Sequence, residues 1–200
     1  MGISLSVAFA ALFPIVDPIG NVPTFLALTT HSDRKAVARK AVAAAMLVLV
    51  VFLAVGHFIL EYFGISLAAV EFVGGLILGY TGWQMLSQPL KPAGGQQPSS
   101  AVYFTPLAFP LLAGPGALAV VLGFSNRVDS WLDFPGWLAG TALVLAVTYL
   151  VFVHADRVLT VVGPNGIDVL NRIMGLIVLF IAAELAFHGI ADEFGLTRAG

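Results

Sequence analysis

Six runs of predominantly apolar residues divide the chain, at about 5–28, 41–60, 65–87, 103–125, 136–154 and 169–191. Each approaches the roughly 20 residues a helix needs to cross a bilayer. The pattern therefore predicts an all-α membrane protein of six transmembrane helices forming one transmembrane domain over 1–200. Between the third and fourth runs the character changes. Gln88–Ser100, QPLKPAGGQQPSS, is polar and rich in proline, glycine and serine, and it reads as a flexible linker at 88–102. Three spans precede it within 1–87 and three follow within 103–200. An odd number of crossings in each half inverts the second relative to the first, so an inverted 3+3 repeat is expected.

The first and fourth runs are punctuated alike. FPIVDPIGNVP, Phe13–Pro23, is matched by FPLLAGPGALA, Phe109–Ala119, each with a glycine six residues after the first proline, Gly20 and Gly116. The third and sixth runs share Gly-Leu-Ile at 75–77 and 175–177. Proline removes a backbone donor and disfavours helix at the residue before it. The first and fourth helices are therefore predicted to be broken near mid-membrane. Irregular backbone at that depth is tolerated where protein buries it or where it lines a cavity. Matched interruptions in the two halves of a transporter point to its binding site.

The residues at the two interruptions suggest what could bind. Asp17-Pro18 and Gly114-Pro115 each set a good capping residue before a proline suited to a first helical turn, so second half-helices are expected from about Pro18 and Pro115. Their N–H groups and the positive ends of their dipoles attract a carboxylate. Gly20, Gly114 and Gly116 let a ligand approach the backbone, while Pro14 and Pro110 free carbonyls that can accept from an ammonium. Asp17 reads either as a cap or as an acceptor for that ammonium or a carrier of a coupled proton. Asn21 either shares the ligand or bonds a neighbouring helix. Glu71 and Glu184 each lie seven residues from the predicted outer end of a span, roughly 10 Å along a helix. They are ion-coupling candidates, or side chains reaching interfacial water.

Composition narrows the class. Apolar residues make up 59% of the chain and charged ones 10%, against roughly 25% charged in soluble domains. Such a chain belongs in a bilayer. Cysteine is absent, which removes disulfides, thiolate metal sites and cysteine nucleophiles. The histidines lack ligand-like spacing, so neither metal nor cofactor is expected. A net charge of -2 with no basic cluster interleaved with aromatics gives no sign of nucleic-acid binding. Arg34, Lys35, Arg39, Lys40, Lys91, Arg157 and Arg172 fall on one side of the six-span arrangement, with Arg127 and Arg198 on the other. Basic residues mark the cytoplasm, so both termini are expected outside. Trp131, Trp137, Tyr62 and Tyr103 fall near span ends. The N-terminus lacks a basic leader and reads as a retained helix. Gly75-xxx-Gly79 and Gly136-xxx-Gly140 permit close helix packing, and a homo-oligomer stays open.

FPIVDPIGNVPTFLALT at 13–29, PLAFPLLAGPGALAVVLGFS at 106–125 and RIMGLIVLFIAAE at 172–184 resemble the MarC family of inner-membrane proteins. That family includes the small neutral amino acid transporters called SnatA. The resemblance spans nearly the whole chain and implies six spans in an inverted repeat, with transport of substrates such as glycine and alanine. The family's prolines and glycines match at Pro14, Pro18, Gly20, Pro23, Pro110, Gly114, Pro115 and Gly116. Two departures stand out. Glu71-Phe72-Val73-Gly74-Gly75 replaces Arg-Ile-Ala-Gly-Gly of many relatives, and Glu184 replaces a usual glutamine. Both add acid to the outer half.

Three classes of function remain. A secondary transporter of glycine, alanine or serine, driven by protons or sodium, fits the paired interruptions and the lack of a nucleotide-binding loop. A channel or accessory membrane protein is the alternative. An intramembrane enzyme would need a nucleophile, an acid–base pair or a metal cluster within the spans, and no such motif occurs.

Overall fold

The first apolar run folds as two helices. In a computed structural model covering residues 2–30, 32–87, 103–126 and 134–196, α1 spans Gly2–Val16 and α2 spans Val22–Leu28. Pro14 lies inside α1 without ending it. The helix stops where Asp17 takes a left-handed φ of 42°. The second half-helix expected from about Pro18 begins instead at Val22. The cause is a separate turn. Asp17 Oδ1 accepts from Gly20 N at 3.2 Å, and Asn21 N and Val22 N donate to the carbonyls of Asp17 and Ile19. Asn21 takes the N-cap position, and Pro23 follows in the first turn of α2.

Helix α3, Arg34–Phe63, starts where the Asp33 carboxylate accepts the N–H groups of Lys35 and Ala36. It ends at Gly64, whose φ of 63° suits a residue without a Cβ. The Ser66 hydroxyl then accepts from Ala69 N at 3.1 Å and opens α4, Leu67–Ser87. The second half begins with a wide π-helical segment, Tyr103–Leu112, interrupted at Thr105 and Phe109. Both residues are extended, and each precedes a proline, which is the steric effect that proline imposes on its predecessor. Helices α5, Pro115–Asn126, and α6, Phe134–Val153, follow. Helix α7, Ala155–Glu193, is longer than the expected sixth run at 169–191 and is interrupted at Gly163, again just before a proline. The linker at 88–102, with Lys91, lies outside the described residues, as do Arg127, Trp131 and Arg198.

Among the described residues all secondary structure is helical, and α3, α6 and α7 are long and apolar enough to cross a membrane. The 15, 7 and 12 residues of α1, α2 and α5 are each too few to cross alone. Helix α1 packs on α6, the π segment and α5 pack on α3, and α4 lies between α5 and α7. Phe25 of α2 stacks on Phe152 of α6 with ring centres 4.3 Å apart. Phe58, Tyr80, Trp83, Phe180 and Phe187 point outward from the bundle. That much exposed aromatic surface suits hydrocarbon better than water.

Helices α4 and α7 meet antiparallel along a seam of small residues at heptad spacing. Ala68, Gly75 and Gly82 face Gly189, Ala182 and Gly175 in turn. A Cβ on Gly82 would stand 2.8 Å from the Gly175 carbonyl oxygen, whereas one on Gly79 would stand 3.8 Å from the Ala182 Cβ. The seam therefore runs through 75 and 82, not through the Gly75-xxx-Gly79 pair that the sequence suggests. Gly82→Ala gains about 1 kcal/mol of helix propensity. It also forces backbone apart at an overpacking cost of about 1–3 kcal/mol, so its melting temperature in detergent should fall. Gly79→Ala makes only ordinary contact and should hold or raise that temperature. Equal effects from the two changes would contradict the seam. Gly140 of the other small-residue pair packs inside the bundle, where its Cβ would meet Ala8 and the Leu5 carbonyl of α1.

Candidate functional site

The two interruptions lie side by side. A Cβ on Gly116, in the first turn of α5, would stand 3.9 Å from Ile15 Cγ2, two residues before Asp17. On the first interruption Pro14, Asp17, Pro18 and Gly20 are buried, and Asn21 is partly so. Asn21 Nδ2 donates to the Val16 carbonyl at 2.8 Å and so closes the end of α1. On the second, Gly114 is partly buried, Pro115 is exposed and Gly116 is buried. The backbone of Pro110 belongs to the π segment, and its side chain lies outside the described set.

Neither buried glycine faces open space. A Cβ on Gly20 would fall 1.9 Å from Asp17 Oδ2 and 2.7 Å from Asn171 Oδ1. One on Gly116 would fall 2.3 Å from Leu78 Cδ2. The expected approach of a ligand to these glycines is thus occupied by protein in this conformation. Asn171 and Leu78 escaped the sequence reading. Asn171 also donates to the Met85 carbonyl at 3.2 Å, and Arg172 donates to the Leu86 carbonyl and to Asp168 at 2.8 Å each. Together they bind the end of α4 to α7. A signal existed, because Asn171 precedes its Gly-Leu-Ile by the same four residues that separate Glu71 from Gly75.

Helix α4 runs along α5 with matched contacts. Leu78 covers Gly116, a Cβ on Gly74 would strike the Ala119 Cβ at 2.4 Å, and Glu71 Oε1 lies 3.9 Å from where Gly123 would carry a Cβ. Glu71 is 1% exposed. It lines a cavity of about 230 Å³ with Val7 and Ala11 of α1, Val120 and Gly123 of α5, and Ile181, Glu184, Leu185 and His188 of α7. Glu184 Oε1 and His188 Nε2 lie 3.4 Å apart, with side chains 72% and 50% exposed. The structure thus joins Glu71 and Glu184 in one cavity and keeps both apart from Asp17. Among the described residues, no three His, Asp or Glu side chains gather as a metal site.

The sequence profile described as MarC family integral membrane protein matches residues 3–194. The chain belongs to the MarC family. The UPF0056 membrane protein YvbG of Bacillus subtilis is 31% identical over 197 residues, covering 93% of each chain. A UPF0056 membrane protein of Methanocaldococcus jannaschii is 36% identical, covering 92% of this chain and 94% of its own. The UPF0056 inner membrane protein MarC of Citrobacter koseri is 25% identical, with 94% and 95% covered. No solved structure matches the chain. Membership makes the chain an integral membrane protein, and its outward aromatics then face lipid. Among the described residues of this MarC bundle the cations gather at one end. Arg34 pairs with Asp156, and Lys40 Nζ lies 5.4 Å over the Tyr103 ring.

Proposed function

We propose that this MarC-family chain is a secondary active transporter of small neutral amino acids of the glycine, alanine and serine class, driven by a proton or sodium gradient. The zwitterion binds between the two interruptions. Its carboxylate meets the N–H groups in the first turn of α5, at Gly116 and Ala117, and its ammonium meets Asp17. Because α2 begins only after the turn at 17–21, the first interruption contributes its carboxylate and carbonyls more than a helix end.

One observation carries the reading: the interruption that bears the buried Asp17 carboxylate meets the first turn of α5, on the other, through Ile15 and Gly116. A carboxylate within a membrane helix costs a few kcal/mol. Asparagine would accept the same Gly20 N–H without that cost. The charge therefore serves something other than the turn, and a ligand ammonium is the simplest partner. Ile15 and Ile19 flank the site, half-buried, which favours a small apolar side chain.

The closed contacts at Gly20 and Gly116 belong to an occluded conformation. Opening requires Leu78 and Asn171 to withdraw, and the glycine seam lets α4 and α7 move as one body. In the same reading the chain makes six crossings as an inverted 3+3 repeat. The reciprocal packing supports it, with α1 on α6, the π segment on α3, and α4 on α7.

The cation-rich end faces the cytoplasm, which sets both termini outside. Cysteine introduced at Lys35 or Pro92 should label only from the cytoplasm, and at Asp129 only from outside. Labelling of 35 and 129 from one side would remove the inverted repeat. The transport reading is tested by glycine counterflow in proteoliposomes, which a channel or an accessory protein does not support.

A further inference from the structure

Helices α3 and α6, both long and apolar enough to span a bilayer, enclose a groove of about 490 Å³ that opens outward at the exposed Ala43 and Ala146. We propose that this groove holds an anionic phospholipid, with the phosphate at Arg39 and an acyl chain lying between the two helices. The proposal is independent of the transport reading and requires only that the chain be an integral membrane protein.

The shape of the groove sets its occupant. Arg34 at the start of α3 pairs with Asp156, just past the end of α6, and the two helices pack on each other, so they run antiparallel. Arg39 and Tyr149 therefore line the groove at the cation-rich end, and Met46 and Ala142 line it deeper in the bundle. Arg39 and Met46 are seven residues apart, roughly 10 Å along a helix. That length falls within one leaflet, half of the roughly 30 Å hydrocarbon core. Alanines at 43, 142 and 146 keep the walls low, and the buried Leu145 closes the floor. Apart from Arg39 and Tyr149, every lining side chain is apolar. The matching ligand is a hydrocarbon chain with a polar group at one end.

Charge selects the headgroup. Lys35 stands one turn before Arg39 on the same face of α3, and both are exposed. The acids described at this end are engaged elsewhere. Asp33 accepts from the backbone of Lys35 and Ala36, Asp156 from Arg34 and Asp168 from Arg172. The segment 88–102, which joins α4 to the π segment, contains no acidic residue. Arg39 thus has no carboxylate partner among the described residues. A phosphodiester supplies one acceptor oxygen after another for charge-assisted hydrogen bonds, and basic pockets between spans are where anionic headgroups dock. A zwitterionic headgroup would bring its own cation to the same place. A second copy fits less well. Copies related by a two-fold axis share one orientation in the membrane, so each Arg39 would meet like charge at the same depth.

Native mass spectrometry of the purified protein in neutral detergent, titrated with dioleoyl phosphatidylglycerol or dioleoyl phosphatidylcholine, tests this. The wild type should retain phosphatidylglycerol at lower concentration than phosphatidylcholine. Glycerol phosphate, which carries the charge without a chain, should not displace it. Arg39→Gln should weaken phosphatidylglycerol binding about tenfold, the difference between a charged and a neutral hydrogen bond, and leave the lipid-free melting temperature unchanged. Ala146→Leu, at an exposed position, keeps both cations but fills the groove, and should weaken both lipids. Equal retention of the two lipids by the wild type overturns the anionic headgroup, and wild-type affinity in R39Q overturns the place of the phosphate. Wild-type affinity in A146L, or displacement by glycerol phosphate, overturns the chain in the groove. Ala146→Cys introduces the protein's single cysteine. Disulfide cross-linking of that variant between copies in phosphatidylglycerol membranes would assign the groove to a second copy and likewise overturn the proposal.

Discussion

Asp17→Ala should abolish glycine transport, while Asp17→Asn should fold normally and bind glycine about tenfold more weakly. Alanine removes the acceptor for Gly20 N and places a Cβ-bearing residue without a polar side chain at φ 42°. The lost hydrogen bond from Gly20 N costs about 1.5–3 kcal/mol and left-handed strain about 1–2 kcal/mol more, enough to disorganise the turn between α1 and α2. Asparagine avoids most of both penalties, because it accepts the same Gly20 N–H and is enriched in the left-handed region. It does remove the charge. A hydrogen bond to a charged group contributes about 1.5–3 kcal/mol and a neutral one about 0.5–1.5, and the difference of about 1.4 kcal/mol is a factor of ten. Half-saturation in counterflow and melting in detergent read the two effects separately. Unchanged glycine affinity in D17N would mean that the carboxylate serves the turn alone.

Gly116→Leu should eliminate counterflow. Leu78 already fills the space beside Gly116, so a second leucine overpacks the α4–α5 contact at about 1–3 kcal/mol. Leu78→Ala added to G116L returns volume to that contact and should recover the melting temperature. It should not recover counterflow, because the new side chain still projects from the first turn of α5, the proposed docking place of the substrate carboxylate. Wild-type counterflow in the double variant would reduce the second interruption to a packing kink.

The positions of these elements follow from the chain to different degrees. The interruptions were legible because proline and glycine act locally, and Pro115 opens α5 for a reason visible in two adjacent residues. The start of α2 was not, because it depends on Asp17 choosing a left-handed conformation, and Asp17-Pro18 alone equally suits an N-cap. Asn171 and Leu78 reach the interruptions from other helices, and local pattern carries no such information. Glu71 and Glu184 were recognisable as acids within apolar runs. Their shared cavity with His188 depends on how α4 docks on α7, which the heptad of small residues sets. That heptad was readable in Ala68, Gly75, Gly82, Gly175, Ala182 and Gly189, but the shorter Gly75-xxx-Gly79 spacing masked it.

The central claim is that a zwitterion binds between the interruptions, and competition in glycine counterflow tests it most directly. Glycine, L-alanine and L-serine should compete with one another. Glycinamide and alanine methyl ester should not, because the N–H groups of α5 would be desolvated without a carboxylate to accept from them. Acetate and propionate should compete weakly, since they leave Asp17 without a cation, and phenylalanine should fail on volume. Strong inhibition by the amide or the ester would contradict the assignment of the substrate carboxylate to the start of α5.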